Sequence, residues 1–264
     1  MPLVPDPSAP VRLLDPAEPE YRHGLELFLA GTDEKALTHP FLSDLAAALP
    51  RRRVFLDIGA GEGRTTRYVS RFFERTVVIE PSEDMRRAVL RACPDARVIG
   101  TPIGATHLDV RADLALCSHV LYYVPRPDWL STTLRMLSWV APGGELVLML
   151  QNPGNDTMRM VRHFTGTHFD LADLEAELLR SGDDMVADTV MTTLRTRFRT
   201  DVPADALTVA EFLLNDPSLR RMEPRPTRGD LERYVVTRFT EPTGALSWSC
   251  SHDILRVRRA PAAR

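Results

Sequence analysis

The stretch that most restricts the fold is FLDIGAGEG, residues 55–63, in which an apolar run passes an acid and enters three alternating glycines. A short apolar run followed by closely spaced glycines predicts a buried strand and a turn whose backbone approaches a ligand. Beyond this turn, short apolar runs alternate with helical patterns as far as residue 151. Strands that alternate with helices in this way predict a parallel, doubly wound α/β sheet.

The pattern defines the individual elements of this sheet. The predicted strands are VFLDIG, TVVIE, ARVIG, ADLALCSHV and ELVLMLQN, the last of which follows an APGG turn. The predicted helices are RTTRYVSRFF, SEDMRRAVLRAC, DWLSTTLRMLSWV and, later in the chain, LADLEAELLRSG. Ser82 is expected to cap the second of these helices, and Gly182 to end the last one.

The chain divides into three predicted parts. Residues 1–50 form a proline-rich arm and a helical lid, residues 51–200 a sheet domain, and residues 201–264 a helical insertion with a closing strand of the same sheet. Within the later parts, MVADTVMTTLRTRFRT is interpreted as one long strand and ALSWSCSHDILRVRR as the closing strand.

Composition narrows the functional class. A formal charge of −3 and a pI near 6.2 give no basic footprint for nucleic acid or membranes. The cysteines, Cys93, Cys117 and Cys250, are too far apart to suggest a disulfide framework or a zinc site. The segment MPLVPDPSAPVRLLDPAEPE has no basic n-region and no apolar h-region, so we do not expect it to be a secretory signal, and no apolar run reaches the ~18 residues of a membrane helix. We therefore expect a cytoplasmic protein without metal. Lys35, the one lysine, is placed neither as a P-loop lysine nor in a Tyr-x-x-x-Lys reductase pair.

The spacing of the glycines favours one ligand class over another. Gly59, Gly61 and Gly63 form G-x-G-x-G, whereas a dinucleotide fingerprint is G-x-G-x-x-G. Asp57 would repel a pyrophosphate but would favour a ligand that carries an ammonium group. Glu80 ends the second strand, where a carboxylate can accept hydrogen bonds from both ribose hydroxyls. Because NAD-binding folds share that acid, Glu80 alone does not distinguish a dinucleotide site from a site for a ligand with an ammonium group.

Together these motifs resemble those of the class I S-adenosylmethionine-dependent methyltransferases. That family combines acid-x-Gly-x-Gly-x-Gly with an acid ending strand two and with a glycine pair such as that in LSWVAPGGELVL, so the resemblance covers roughly residues 50–150. It implies a seven-stranded, mostly parallel Rossmann-like sheet with S-adenosyl-L-methionine as cofactor. It also implies a set of cofactor-binding residues along the methionine, the ribose and the adenine: Asp57, Gly59, Gly61, Gly63, Glu80, Thr101, Pro102, Ile103 and Ser118. Thr101 departs from the family, since many members have an aspartate there that contacts the adenine amine.

FLAGTDEKAL and HVLYYV further resemble histamine N-methyltransferase and its bacterial relatives. This resemblance implies that Glu34 contacts an amine substrate and that Tyr122 and Tyr123 belong to the motif at the end of strand four. His119 stands where that family has a substrate-contacting glutamine, and the tryptophans of its aromatic pocket have no counterpart in NPGNDTMRMVRHF. We therefore expect His119, Glu34, Tyr122 and Tyr123 to form the catalytic centre, but we do not expect histamine to be the substrate.

The predicted function is in-line methyl transfer to nitrogen, or to oxygen or carbon, of a small molecule such as an amine or a bacterial secondary metabolite, in natural-product biosynthesis. We expect a monomer or weak dimer with no nucleic-acid or membrane partner. Two alternatives stay open: an NAD-dependent oxidoreductase and a non-catalytic adenosylmethionine-binding protein. Base methylation in nucleic acid is disfavoured because no Asn/Asp-Pro-Pro-Tyr/Phe motif follows strand four. His119 is interpreted either as a general base or as a group that orients the acceptor.

Overall fold

The computed structural model describes residues 6–15, 18–215 and 217–262. Its strands are β1 Val54–Ile58, β2 Arg75–Ile79, β3 Arg97–Ile99, β4 Ala112–Ser118, β5 Val140–Gln151, β6 Val186–Leu194, β7 Arg197–Thr200, β8 Leu246–Ser249 and β9 His252–Arg259. Its helices are α1 Pro19–Gly31, α2 Glu34–Ala48, α3 Arg64–Ser70, α4 Glu83–Ala92, α5 Trp129–Ser138, α6 Asp156–Thr165, α7 Leu171–Ser181, α8 Pro203–Leu214 and α9 Arg228–Phe239.

Seven of the strands form one sheet in the order β3-β2-β1-β4-β5-β9-β6. The five strands from β3 to β5 pair in parallel, whereas β6 and β9 pair antiparallel to each other. This arrangement confirms the predicted doubly wound, mostly parallel sheet of seven strands. β7 and β8 form a separate antiparallel ribbon.

β1 lies at the centre of the sheet, and every one of its residues is buried. It pairs with β2 on one side and β4 on the other, so the strand order reverses beside it. In open α/β sheets, ligands bind at the carboxyl ends of the strands next to such a reversal. We therefore expect a ligand site among the loops that follow β1, β2, β3 and β4.

Several predicted strand boundaries were wrong, because a local pattern does not report which distant strand a segment pairs with. The APGG sequence is not a turn before β5 but part of that strand, where the register against β4 shifts. The long strand predicted over residues 185–200 is two strands, β6 and β7, which belong to different sheets. The closing strand is likewise divided into β8 and β9. Helix α6 was not predicted, although Asn155 caps it by accepting a hydrogen bond from Met158 N at 2.7 Å.

The chain forms two compact units that are interleaved along the sequence. One unit, the sheet unit, comprises residues 36–150, 170–194 and 252–264 and contains the seven-stranded sheet. The other, the accessory unit, comprises residues 1–35, 151–169 and 195–251 and contains the β7–β8 ribbon. These limits differ from the linear division at residues 50 and 200. Within the described ranges, no helix combines the length and apolar character that crossing a membrane requires.

The proline-rich segment is tied into the accessory unit. Val11 and Leu14 are buried, whereas Leu13 between them is exposed. Arg12 donates two hydrogen bonds to the buried carboxylate of Glu211 on α8, at 3.0 and 2.6 Å. The arm therefore has a defined course over its described residues.

Candidate functional site

The glycine turn after β1 has a backbone that only glycine adopts readily. Gly59, Gly61 and Gly63 all have positive φ, at 75°, 55° and 79°. A Cβ atom on Gly59 would lie 2.2 Å from Cγ2 of Val120, so the loop after β4 closes over this position. A Cβ atom on Gly61 would meet nothing within 4 Å. The turn is therefore closed against the protein at its first glycine and open at its second.

Asp57 lies near the end of β1 and is buried. Its Oδ2 accepts a hydrogen bond from the hydroxyl of Thr66 on α3, at 2.6 Å. Its charge is felt nearby, because burial and then the Asp57 charge raise the pKa of the Cys117 thiol. Thr66 was not among the predicted residues, since a threonine in a polar helical run carries no distinguishing signal.

Glu80 follows β2 and links two loops. Its Oε2 accepts from Gly61 N and its Oε1 accepts from Ser82 N, both at 3.0 Å. An ionised carboxylate offers about four lone-pair sites. These two bonds leave acceptor capacity on both oxygens for further donors such as ribose hydroxyls. Ser82 caps α4 as predicted, with a long bond of 3.5 Å from Met85 N.

The loop after β3 is held by side chains. The Thr101 hydroxyl lies 2.8 Å from that of Thr106, which also donates toward the carbonyls of Thr101 and Pro102. Arg135 on α5 donates from Nε to Ile103 O at 3.0 Å and from Nη2 to Thr106 O at 2.9 Å. The sequence did not indicate Arg135, because the loop that it contacts lies about 30 residues earlier in the chain.

A cavity of about 540 Å³ opens at these strand ends. Of the predicted cofactor-binding residues, Gly59, Pro102 and Ile103 line it, and so does Tyr123. Thr101 is not among the lining residues, and neither is Ser118, a half-buried residue at the end of β4. Apolar side chains make up most of the wall, with polar groups from the start of α5. Such a mixed lining is typical of small-molecule sites.

The predicted catalytic residues differ in burial and in the unit to which they belong. His119 and Tyr122 are half-buried, and their rings stack with centroids 5.8 Å apart. His252 on β9 packs edge-on against His119, with ring centroids 5.0 Å apart. Tyr123 is 59% exposed, and both tyrosines lie in a short 3-10 turn rather than on β4 itself. Glu34 belongs to the accessory unit, where its carboxylate accepts from Lys35 Nζ at 3.1 Å.

The described residues fit a nucleoside cofactor of the predicted kind. The open side of Gly61 leaves room for a chain along the turn, and Glu80 keeps free acceptor capacity beside it. The cavity begins next to Glu80, because Ile79 and Pro81 on either side of it are both lining residues. A base attached to a ribose at Glu80 would therefore enter this cavity.

Comparison with known proteins gives the same assignment. Residues 26–182 match the family model described as a methyltransferase domain, which is more than half of the chain. No curated protein matches the sequence.

Solved structures share the fold at low identity. The N-methyltransferase NodS from Bradyrhizobium japonicum WM9, solved in complex with S-adenosyl-L-homocysteine, is 14% identical with a TM-score of 0.53. That match covers 92% of this chain and 99% of NodS. YcgJ from Bacillus subtilis is 13% identical with a TM-score of 0.58, over 85% of this chain and 100% of YcgJ. At these identities the similarity concerns the fold.

Proposed function

Because this chain belongs to the methyltransferase domain family, we propose that it transfers a methyl group from S-adenosylmethionine to a small-molecule acceptor held beside His119. The chain is an S-adenosylmethionine-dependent methyltransferase of class I. The proposal concerns the acceptor and the residues that handle it. It favours attack by an amine nitrogen, with oxygen and carbon as further outcomes of the test.

The backbone of His119 is the observation that carries the proposal. His119 has a φ of 60°, and no other non-glycine residue among those described has a positive φ. Its N–H still donates to Met149 O on β5 at 2.8 Å, so it remains fixed to the sheet. Strained backbone of this kind costs about 1–3 kcal/mol and clusters at functional sites. This strained residue directly follows the carboxyl end of β4.

The chain's own residues then have distinct tasks. Bound S-adenosylmethionine supplies a methyl group that its sulfonium already activates. Glu80 and the open turn at Gly61 would hold the cofactor, and His119 would orient the acceptor by a hydrogen bond. Tyr122, stacked on His119, fixes the plane of the imidazole ring. A neutral amine needs no strong base before attack, so orientation is the role that we favour for His119.

Several finer predictions stay proposals. The amine acceptor agrees with the N-methyltransferase activity named for NodS, which shares the fold at 14% identity. Nothing in the comparisons supports the histamine N-methyltransferase-like subgroup, so Glu34 as an amine contact rests on the sequence motif alone. A secondary metabolite as acceptor and a cytoplasmic location likewise rest on sequence reasoning. The family match favours methyl transfer over the alternatives of an NAD-dependent oxidoreductase and a non-catalytic binding protein.

The test follows the methyl group. Purified enzyme is incubated with methyl-labelled S-adenosylmethionine and a bacterial extract separated into metabolites, protein and nucleic acid. We expect label in the metabolite fraction, at a rate that His119→Ala lowers at least tenfold without changing the dissociation constant of S-adenosylhomocysteine. Label that appears in protein or nucleic acid instead would overturn the small-molecule assignment. An unchanged rate in His119→Ala would remove His119 from the acceptor site.

A further inference from the structure

We propose that Asp128, at the start of α5, recognises the 6-amino group of the cofactor's adenine in place of the acid that the family often has after β3. The inference rests on the binding of S-adenosylmethionine stated above and adds the residue that reads its base. Asp128 is 27 positions beyond Thr101, where the family aspartate would stand. No motif in the sequence assigns Asp128 to the cofactor.

The position after β3 does not provide the acid in this chain. Thr101 has a hydroxyl in place of a carboxylate, and it does not line the cavity. That hydroxyl is engaged with the hydroxyl of Thr106 at 2.8 Å, inside the loop. Thr106 in turn is buried and bonded to two backbone carbonyls. These threonines therefore stabilise the loop, and neither is among the residues that line the cavity.

The cavity presents one carboxylate at the place where a base would lie. Among the described residues that line it, Asp128 is the one acid. The lining residues include Ile79 and Pro81 on either side of Glu80, Ile103 in the loop after β3, and residues at the start of α5. With the ribose at Glu80, the base would occupy this cavity, whose lining includes Asp128.

The Asp128 side chain is not committed to the local role that its position suggests. An aspartate before a helix usually caps it by accepting a backbone N–H of the first turn. Asp128 precedes α5 but makes no side-chain capping bond, and its backbone is in the αR region. Ser131 bonds to the Asp128 carbonyl rather than to its carboxylate, at 3.1 Å. The carboxylate is therefore available to accept from a ligand.

Chemistry makes the proposed contact selective. Adenine carries an amino donor at position 6, which a carboxylate accepts, whereas hypoxanthine carries an oxygen there, which a carboxylate repels. A site built to pair a polar group discriminates strongly against an analogue that cannot make the bond. Arg135 keeps the opposing wall in place through its bonds to Ile103 O and Thr106 O. Asp128 and this loop would thus hold the base from two sides.

The test measures binding rather than turnover. Dissociation constants are determined by calorimetry for S-adenosylhomocysteine and for S-inosylhomocysteine, in which oxygen replaces the 6-amino group. The wild-type protein should bind the adenosyl ligand at least tenfold more tightly. Asp128→Ala should weaken adenosyl binding about tenfold, the lower end for hydrogen bonds to charged groups at a solvent-accessible position. Asp128→Asn should bring the two constants close together, because an amide can face either group.

The control is Asp109→Asn, which changes an exposed acid outside the cavity lining that is paired with Arg97 at 2.7 Å. It should keep the wild-type ratio of the two constants. The same ratio in both Asp128 variants as in wild type would overturn the inference, with cofactor binding itself intact. Failure of wild type to bind either ligand would instead overturn the cofactor assignment of the cavity. Because Asp128 is exposed, thermal unfolding should be nearly unchanged in its variants.

Discussion

Replacing Glu80 with alanine should weaken cofactor binding and also loosen two loops. The Glu80 carboxylate accepts from Gly61 N in the glycine turn and from Ser82 N at the start of α4. It is 7% exposed, so it keeps an opening through which a ligand can reach it. Glu80→Ala therefore removes a ribose acceptor and two bonds within the protein.

The two effects have different magnitudes. A hydrogen bond to a charged group contributes about 1.5–3 kcal/mol, so the dissociation constant of S-adenosylhomocysteine should rise roughly tenfold to 150-fold. The two backbone N–H groups lose their partner, at a cost of about 1–3 kcal/mol each if they stay dry. Since the site is partly open, water should replace part of each bond. We expect the free energy of unfolding to fall by about 2 kcal/mol in total.

Calorimetry and urea unfolding separate these effects. Ser82→Ala is the matched control, because it removes the hydroxyl that caps α4 and retains the backbone N–H that bonds to Glu80. It should lower stability by about 1 kcal/mol or less and leave affinity unchanged. If Glu80→Ala lost stability but bound the ligand as tightly as wild type, Glu80 would be structural and its assignment to the ribose would be wrong.

Four further substitutions test the glycine turn, His119 and the buried Cys117 thiol of β4. Gly61→Val should abolish cofactor binding measured by calorimetry, because the valine side chain would enter the open space at this glycine, whose φ is 55°. Gly59→Val should also abolish binding, and it should unfold at lower urea concentration because its Cβ would lie 2.2 Å from the Val120 side chain. His119→Gln should recover much of the turnover lost in His119→Ala in a labelled-methyl assay if His119 orients the acceptor; equal loss in both variants would indicate a general base and a deficit of about 10²–10⁴-fold. Burial raises the pKa of the Cys117 thiol, so above about pH 8.5 the unfolded chain loses a proton that the folded chain retains. The free energy of unfolding should then fall by up to about 1.4 kcal/mol per pH unit from this group. Urea titrations between pH 7 and 10 should show a shallower fall in Cys117→Ala, and identical slopes would refute the assignment.

The sheet and the glycine turn could be predicted because their signals are local. The run before Gly59, the alternate glycines and the acid after β2 are all contiguous in sequence, and steric limits on backbone dihedrals link such patterns to a single kind of turn. The parallel sheet followed from the alternation of strands and helices. The structure confirms the predicted sheet, and the family match confirms the predicted methyltransferase domain.

The boundaries that failed depend on long-range pairing. Nothing in residues 186–200 distinguishes one strand from two, because the break at Thr196 is made by bonds from its hydroxyl to Cys250 O and from Cys250 N to its carbonyl. The bulge that takes APGG into β5 is likewise set by its register on β4. A one-dimensional pattern contains no record of the partner strand.

The site shows the same division. Of the predicted cofactor-binding residues, Gly59, Pro102 and Ile103 line the cavity, as do Arg135 on α5 and Asp128 just before it, which were not predicted. Arg135 donates to Ile103 O and Thr106 O, in a loop about 30 residues earlier in the chain. Only the packing of α5 against that loop brings them together, and no spacing rule in the sequence reports it.

The central claim is that the turn at Gly61, Glu80 and the adjoining cavity bind S-adenosylmethionine. Direct calorimetric titration with S-adenosylhomocysteine and, separately, with NADH tests it in the wild-type protein and in Gly61→Val. We expect one S-adenosylhomocysteine to bind per wild-type chain, no S-adenosylhomocysteine to bind to Gly61→Val, and no NADH to bind to either protein. Binding of NADH to wild type, or S-adenosylhomocysteine binding that Gly61→Val leaves intact, would contradict it.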